Sequence, residues 1–207
     1  MDLSNLRIGT SGFLYGWWKN VFYPPGLHSG KWLEYYDKYF DTVELNSSFY
    51  HVPSQLNMSS WYSRTSEDFL WTLKMNREVT HKKKMVGVAD DLEDFYNRAS
   101  LLKEKLGPIL YQFPPSVNMD LVLLEEFLNQ LPSEYIHVME FRNYSWYTDS
   151  VFQVLEDYDI AFCVHDMKGS ETPIIHTSDI FYLRLHGTER HIDRDWETQN
   201  LYTNCNF

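Results

Sequence analysis

The sequence predicts an α/β fold: a TIM-type (β/α) barrel, C-terminally incomplete, with about seven recognisable strands. Two observations carry this. Short apolar runs alternate with segments of helical periodicity, the pattern of a parallel sheet with helical crossovers. The apolar runs also take up charged residues only near their C-terminal ends, where barrel sites are built. An open doubly wound sheet is the alternative the same alternation allows. The 207 residues suffice for one domain with a sizeable core, assigned to 1–207 with an atypical tail from about residue 188.

The elements follow in order. Arg7-Ile8-Gly9-Thr10-Ser11-Gly12 reads as a first strand entering a loop whose glycines allow close approach to a ligand. Phe13 to Pro25 crowds Tyr15, Trp17, Trp18, Phe22 and Tyr23 into one loop, as a core cap or as an aromatic wall beside a pocket. Trp32, Leu33, Tyr36 and Phe40 recur at helical spacing within 31–40. Thr42 to Leu45 is a buried strand, and Glu44 and Asn46, two apart, point to one side of it. Pro53 breaks the chain before a short helix over 57–64, and Phe69 to Lys74 is the third strand, with Thr72 and Lys74 on one side.

The basic run His81-Lys82-Lys83-Lys84 reads as a solvated loop or as an anion contact. A helix over 92–106 buries Leu92, Phe95, Tyr96, Ala99, Leu102 and Leu106, and Gly107-Pro108 is expected to end it. Ile109 to Phe113 is strand four, cut off by Pro114-Pro115, and a helix over 121–131 follows. Ile136 to Arg142 is strand five, with Val138, Glu140 and Arg142 on one face. A helix over 151–158 leads to strand six, Ile160 to Asp166. Ile180 to Gly187 is strand seven, with Arg184 and His186 on one face. No convincing last strand is found in the polar, aperiodic tail that ends Cys205-Asn206-Phe207.

Composition narrows the function classes. The net charge is -11, and the second half carries most of it: residues 1–100 hold 11 Lys/Arg against 12 Asp/Glu, residues 101–207 hold 7 against 17. Such a balance disfavours non-specific nucleic-acid binding, which rests on phosphate neutralisation. Cys163 and Cys205 fit no metal spacing, and Cys163 reads as a small core residue. With no secretory signal and no apolar run long enough to span a bilayer, a cytoplasmic protein without membrane contact is expected.

A barrel would gather the polar strand ends at one mouth: Thr10, Ser11, Glu44, Asn46, Lys74, Gln112, Glu140, Arg142, His165, Asp166, Arg184 and His186. Buried charges must satisfy one another or a ligand. Glu44 and Glu140, with His186, are the catalytic candidates, because two carboxylates in different environments can divide acid and base work. Thr10, Ser11, Asn46, Lys74, Gln112, Arg142 and Arg184 are the substrate-binding candidates, the arginines being able to hold a phosphate or carboxylate bidentately. His165, His186, Glu44, Glu140 and Asp166 are metal-ligand types. However, no His-x-His or His-Glu-x-x-His spacing appears, and three cations nearby disfavour a divalent ion, so no metal site is expected. No cofactor is assigned.

Ile8-Gly9-Thr10-Ser11-Gly12-Phe13, Phe22-Tyr23-Pro24, Thr42 to Tyr50, Lys74 with Thr80-His81, Leu110 to Pro115, Glu140-Phe141-Arg142 with Ser145-Trp146, and Arg184-Leu185-His186-Gly187 occur in that order. The series resembles the motifs of the YecE-like family, a family of domains of unknown function with an α/β-barrel fold. The resemblance implies a barrel similar to those of apurinic-site endonucleases and sugar isomerases. Family chains continue into a further helix and a last strand with an Asn-rich end. The tail here departs from that pattern, so a truncated or frame-shifted C-terminus is expected. Three functions compete. The first is binding or transformation of a small phosphorylated or sugar-like substrate, by a hydrolase or isomerase with an anion-binding pocket. The second is nucleic-acid binding or processing, for which Lys82-Lys83-Lys84 and the aromatics speak. The third is a non-catalytic scaffold.

Overall fold

Seven parallel strands form the ring: β1 (Arg7–Thr10), β2 (Thr42–Leu45), β3 (Leu70–Lys74), β4 (Leu106–Phe113), β5 (His137–Phe141), β6 (Ala161–His165) and β7 (Tyr182–Arg184). Each pairs with the next in chain order. A three-residue strand, β8 (Asn204–Asn206), lies in the seam, antiparallel to both β1 and β7, and closes the barrel. In this computed structural model the described residues are 5–167, 169 and 171–186, with the backbone of 204–206. Residues 188–203 of the atypical tail, Gly187 and the Cys205 side chain lie outside them.

The closed ring excludes the open doubly wound sheet. It also supplies a strand where the tail shows none by pattern, since Asn-Cys-Asn carries neither apolar alternation nor β-branched residues. A second difference concerns Gly107-Pro108. These residues do not end a helix but lie inside β4, where its register against β3 shifts between Trp71 and Leu73. Proline is tolerated there because it stands near the strand's start, beside an irregularity.

Among the described residues there are six α-helices: α1 (Trp32–Tyr36), α2 (Ser47–Tyr50), α3 (Gln55–Arg64), α4 (Ala89–Ala99), α5 (Leu121–Leu128) and α6 (Asp149–Asp157). Their starts follow from side-chain caps. Ser54 accepts from the Asn57 amide, Asp120 from Leu123 and Thr148 from Val151. In α4, Leu92, Phe95, Tyr96 and Ala99 form the buried stripe, with Asp90 and Asp91 in the first turn and Arg98 in the last, the favourable sense for the helix dipole. A 3₁₀ segment then runs to Lys105, whose ammonium donates to the carbonyls of Tyr62 and Thr65, each at 2.7 Å.

Alternation along the strands separates two interiors. Outward residues such as Val43, Leu45, Trp71, Leu73, Tyr111, Phe113, Met139, Phe141 and Phe162 pack under the helices in the main core. Each large side chain fully buried there contributes roughly 1.5–3 kcal/mol. Inward residues Leu110, Val138, Ala161, Cys163 and Tyr182 form a smaller apolar floor. Next along the same inward rows come Glu44, Lys74, Gln112, Glu140, Arg142, His165 and Arg184, towards the C-terminal end.

Gly9 sets how closely β1 and β2 approach. A Cβ there would overlap the Thr42 carbonyl of the paired strand. Gly9→Ala should therefore lower stability by about 1–3 kcal/mol, towards the upper end because the obstacle is backbone rather than a movable side chain. Urea denaturation of the variant against the parent measures it.

Candidate functional site

The polar layer above the floor is built around Arg184. Its Nε and Nη2 donate to Glu44 at 3.0 and 2.8 Å, a bidentate clasp across the ring, and its Nη1 donates to Glu140 at 2.6 Å. Glu44 also accepts from the Tyr182 hydroxyl at 2.8 Å. Arg142 grips the other oxygen of Glu140 through Nε, and its Nη2 donates to His186 Nε2 at 3.0 Å. The side chains of Glu44 and Glu140 are 0% exposed, and those of Arg142 and Arg184 are 7% and 8%. The result is an alternating chain running Tyr182, Glu44, Arg184, Glu140, Arg142, His186.

The electrostatics follow from this order. Burial pushes the Glu140 carboxyl up, but Arg184, Arg142, His165 and Lys74 outweigh it and leave the group at about 2. Glu140 is thus a fixed anion at neutral pH. His186 is lowered to about 4, first by burial and then by Arg184 and Arg142. Geometry says the same: an arginine has only donors, so His186 Nε2 must be the acceptor, and the ring is neutral with its proton on Nδ1. That Nδ1 lies 3.5 Å from Asp166, which also accepts the His186 backbone amide at 2.6 Å.

Lys74 ends β3 in the same layer. Its ammonium donates to Gln112 Oε1 at 2.6 Å and lies 4.6 Å from the centroid of the Phe49 ring. Burial lowers its pKa, and the positive charge of Arg184 adds to this, against the pull of Glu44 and Glu140. Ser48 Oγ lies 2.7 Å from the carbonyls of both Leu45 and Lys74 and clips the ends of β2 and β3 together. Asn46 donates to the Ser11 carbonyl at 3.2 Å, while its Oδ1 is buried with no partner among the described residues. His165 faces His186 with ring centroids 5.8 Å apart, and neither of its ring nitrogens makes a well-formed hydrogen bond among those residues. Burial holds its pKa below the ordinary histidine value.

The structure thus brings Glu44, Lys74, Gln112, Glu140, Arg142, Arg184 and His186 into one layer, with Asn46 and the Ser11 carbonyl bonded to each other where β1 and β2 end. Thr10 does not join them. Its amide donates to the Tyr36 hydroxyl at 2.9 Å and its own hydroxyl to the Gly12 carbonyl at 2.7 Å, on the helix side of β1. Neighbouring residues of a strand point to opposite faces, so Thr10 and Ser11 cannot both face the mouth. Sequence reasoning left out Tyr182 as a partner of Glu44 and Phe49 as the face over Lys74. Tyr182 shares the inward row of Arg184 and His186, which is the signal that could have found it. An open groove beside Ile8, Asp37, Tyr39 and Phe40 lies at the opposite, N-terminal end of the strands and contains none of these groups.

The basic loop is mostly paired. Lys82 donates to Glu78 at 2.6 Å and Lys83 to Asp91 at 2.5 Å. Among the described residues no group of three or more His, Cys, Asp and Glu side chains could hold a metal ion. No helix of the described residues is long and apolar enough to cross a membrane.

Comparison with known proteins gives the family and the fold. The model of the family described as "Protein of unknown function DUF72" matches residues 7–205. The protein YunF of Bacillus subtilis is 28% identical over 149 residues, which are 68% of this chain and 53% of that protein. YecE of Escherichia coli K12 is 29% identical over 112 residues, 54% of this chain and 41% of that one. The chain therefore spans about half the length of the curated relatives it matches. Among solved structures, a DUF72 family protein of Thermotoga maritima superposes with a TM-score of 0.77 at 33% identity, covering 88% of this chain and 74% of its own. One from Enterococcus faecalis gives 0.75 at 17% identity, covering 92% and 75%, and shows the fold alone.

Proposed function

This chain belongs to the DUF72 family of proteins of unknown function, and from that premise we propose that its C-terminal barrel mouth binds or transforms a small phosphorylated or sugar-like molecule. The observation that carries the reading is Lys74. Its ammonium has three donors, of which Gln112 takes one and the Phe49 ring covers another side. A donor remains for a ligand oxygen. In the buried layer three cations, Lys74, Arg142 and Arg184, face two carboxylates, Glu44 and Glu140, in a chain whose net charge is -11. An anion or a polyhydroxyl compound suits that local excess. Gln112 Nε2 and Asn46 Oδ1 add a donor and an acceptor for hydroxyl groups.

In this reading Glu44 and Glu140 are the carboxylates that hold Arg184 and Arg142 in place. Proton transfer, as in isomerisation beside a carbonyl, then falls to an imidazole, because a base needs an unprotonated lone pair free for the ligand and the oxygens of both carboxylates are engaged by Arg184, Arg142 and Tyr182. His186 already accepts from Arg142 and positions it, whereas His165 keeps a lone pair in the layer. The nucleic-acid reading draws less support, since Lys82 and Lys83 are engaged with carboxylates. A cytoplasmic setting belongs to the same proposal.

A thermal-shift panel of pentose and hexose phosphates and free sugars tests it. A ligand at a hundred times its Kd stabilises by about 2.7 kcal/mol, a rise of several degrees in Tm for a domain of this size. That rise should vanish in Lys74→Met and survive in Lys31→Met, whose side chain is 70% exposed. If no compound moves the parent protein, or Lys74→Met responds as the parent does, the reading is wrong.

A further inference from the structure

We infer that His81 is a second ligand-contacting group of this mouth, presenting the lone pair of its Nε2 to a hydroxyl of the molecule held by Lys74. The inference rests on the reading above and names one more residue of that site. His81 sits in the loop after β3, where Glu78–Lys82 form a single π-helical turn closed by the Lys83 amide on the Glu78 carbonyl at 2.8 Å. Such turns insert a residue into the usual winding and recur at functional sites. Asn76 anchors this one: its Oδ1 accepts the Glu78 amide at 2.9 Å, and its Nδ2 donates to the Ser48 carbonyl of α2 at 3.3 Å. The turn is thereby tied to the segment that carries Phe49.

The tautomer follows from Thr80, which is fully buried. Its oxygen lies 3.4 Å from the Asn76 carbonyl and 2.9 Å from His81 Nδ1; with the hydroxyl proton directed to the carbonyl, the oxygen accepts from Nδ1, and this is the arrangement we assign. In this arrangement the proton sits on Nδ1 and the lone pair on Nε2. Among the described residues Nε2 has no hydrogen-bond partner. The ring stands edge-on to Phe49 with centroids 4.8 Å apart, and the same Phe49 ring carries the Lys74 ammonium at 4.6 Å. A cationic donor and a neutral acceptor thus share one aromatic ring as neighbour, and the Lys74 charge reaches the imidazole. Burial, then Lys74 and Arg77, hold the imidazole below its ordinary pKa, which keeps the lone pair free at neutral pH. A cationic donor and a neutral acceptor in one loop-lined corner suit a phosphate or carboxylate oxygen next to an alcohol.

The test uses the full chain labelled with 15N-histidine. Two-bond proton–nitrogen spectra should show His81 as the Nδ1-protonated tautomer. Ribose 5-phosphate, fructose 6-phosphate and inorganic phosphate are then titrated separately. A sugar phosphate should move the His81 Nε2 resonance more than inorganic phosphate does, and His81→Phe should weaken its binding about tenfold while keeping the ring contact with Phe49. Thr80→Val, which frees the tautomer, should weaken it less. Equal shifts with inorganic and sugar phosphates would overturn the hydroxyl contact. A sugar phosphate that needs Lys74 but leaves Nε2 and the His81→Phe affinity unmoved would sink the inference while the site reading stands. Silence from every probe, at His81 and at Lys74 alike, would remove the site reading itself.

Discussion

Arg184→Met should cost about 3–5 kcal/mol, the price of removing one partner from a buried, hydrogen-bonded charge cluster. The guanidinium holds Glu44 through two nitrogens and Glu140 through the third, and both carboxylates are fully buried. Methionine fills much of the volume but takes the bidentate guanidinium from Glu44 and leaves Glu140 with Arg142. Set against a typical total stability of about 5–15 kcal/mol, the loss is large enough to lower soluble yield and shift the guanidinium midpoint well down. Arg184→Lys should also be damaging, since a point charge cannot span both carboxylates as the planar fork does. Combining Arg184→Met with Glu44→Gln should recover part of the loss, because the carboxylate that lost its guanidinium is then neutral while Glu140 keeps Arg142. A single Arg184→Met protein that unfolds at the parental midpoint would show that the carboxylates are solvated and that no such cluster exists.

Acidification should unfold the protein in two adjoining stages. The folded-state pKa of His186, about 4, lies below its ordinary 6.5. Between these values the unfolded chain takes up a proton that the folded chain refuses. Stability is therefore full above pH 6.5 and falls as pH drops towards 4. His137, His165 and His81 are lowered in the same direction and add to this first limb. Glu140 is lowered from 4.5 to about 2, so its contribution is full above pH 4.5 and is lost as pH falls towards 2. Urea midpoints at pH 7.5, 5.5, 4 and 3 should decline at each step. His186→Gln, whose amide oxygen can still accept from Arg142, should shrink the first limb by up to about 2 kcal/mol, allowing for its partly exposed ring. A midpoint that stays level down to pH 4.5 would mean that these imidazoles protonate freely in the folded protein.

Much of this architecture was legible because β2, β3, β5, β6 and β7 each announce themselves twice, as an apolar run and as a run with charge or imidazole at its C-terminal end. Glu44, Lys74, Glu140, Arg142 and Arg184 lie at the ends of such runs, and a parallel ring has to bring those ends together. Partner choice within the layer was not legible. Nothing in residue order says that Arg184 serves both carboxylates, or that His186 is occupied by Arg142, because those choices depend on side-chain reach across the ring. The placement of Thr10 was legible in principle from strand alternation. The closing strand was not, for Asn204–Asn206 owes its conformation to the backbone edges of β1 and β7 rather than to its own side chains. The π-helical turn at Glu78–Lys82 likewise leaves no periodic mark, since one inserted residue only offsets the pattern.

The clasp between Glu44 and Arg184 also bears on how the ring is assembled. Glu44 comes from the second strand and Arg184 from the seventh, 140 residues apart. A half-barrel of the first four strands would carry Glu44 inward with that guanidinium missing and with Lys74 in place of the planar fork. The complementary half would bring Glu140 with two arginines and an unmatched positive charge. Neither half can bury its inner face comfortably, so the electrostatics penalise partial assemblies that hydrophobic collapse alone would tolerate. What looks like a binding layer in the finished molecule is, during folding, a source of cooperativity between its two sides.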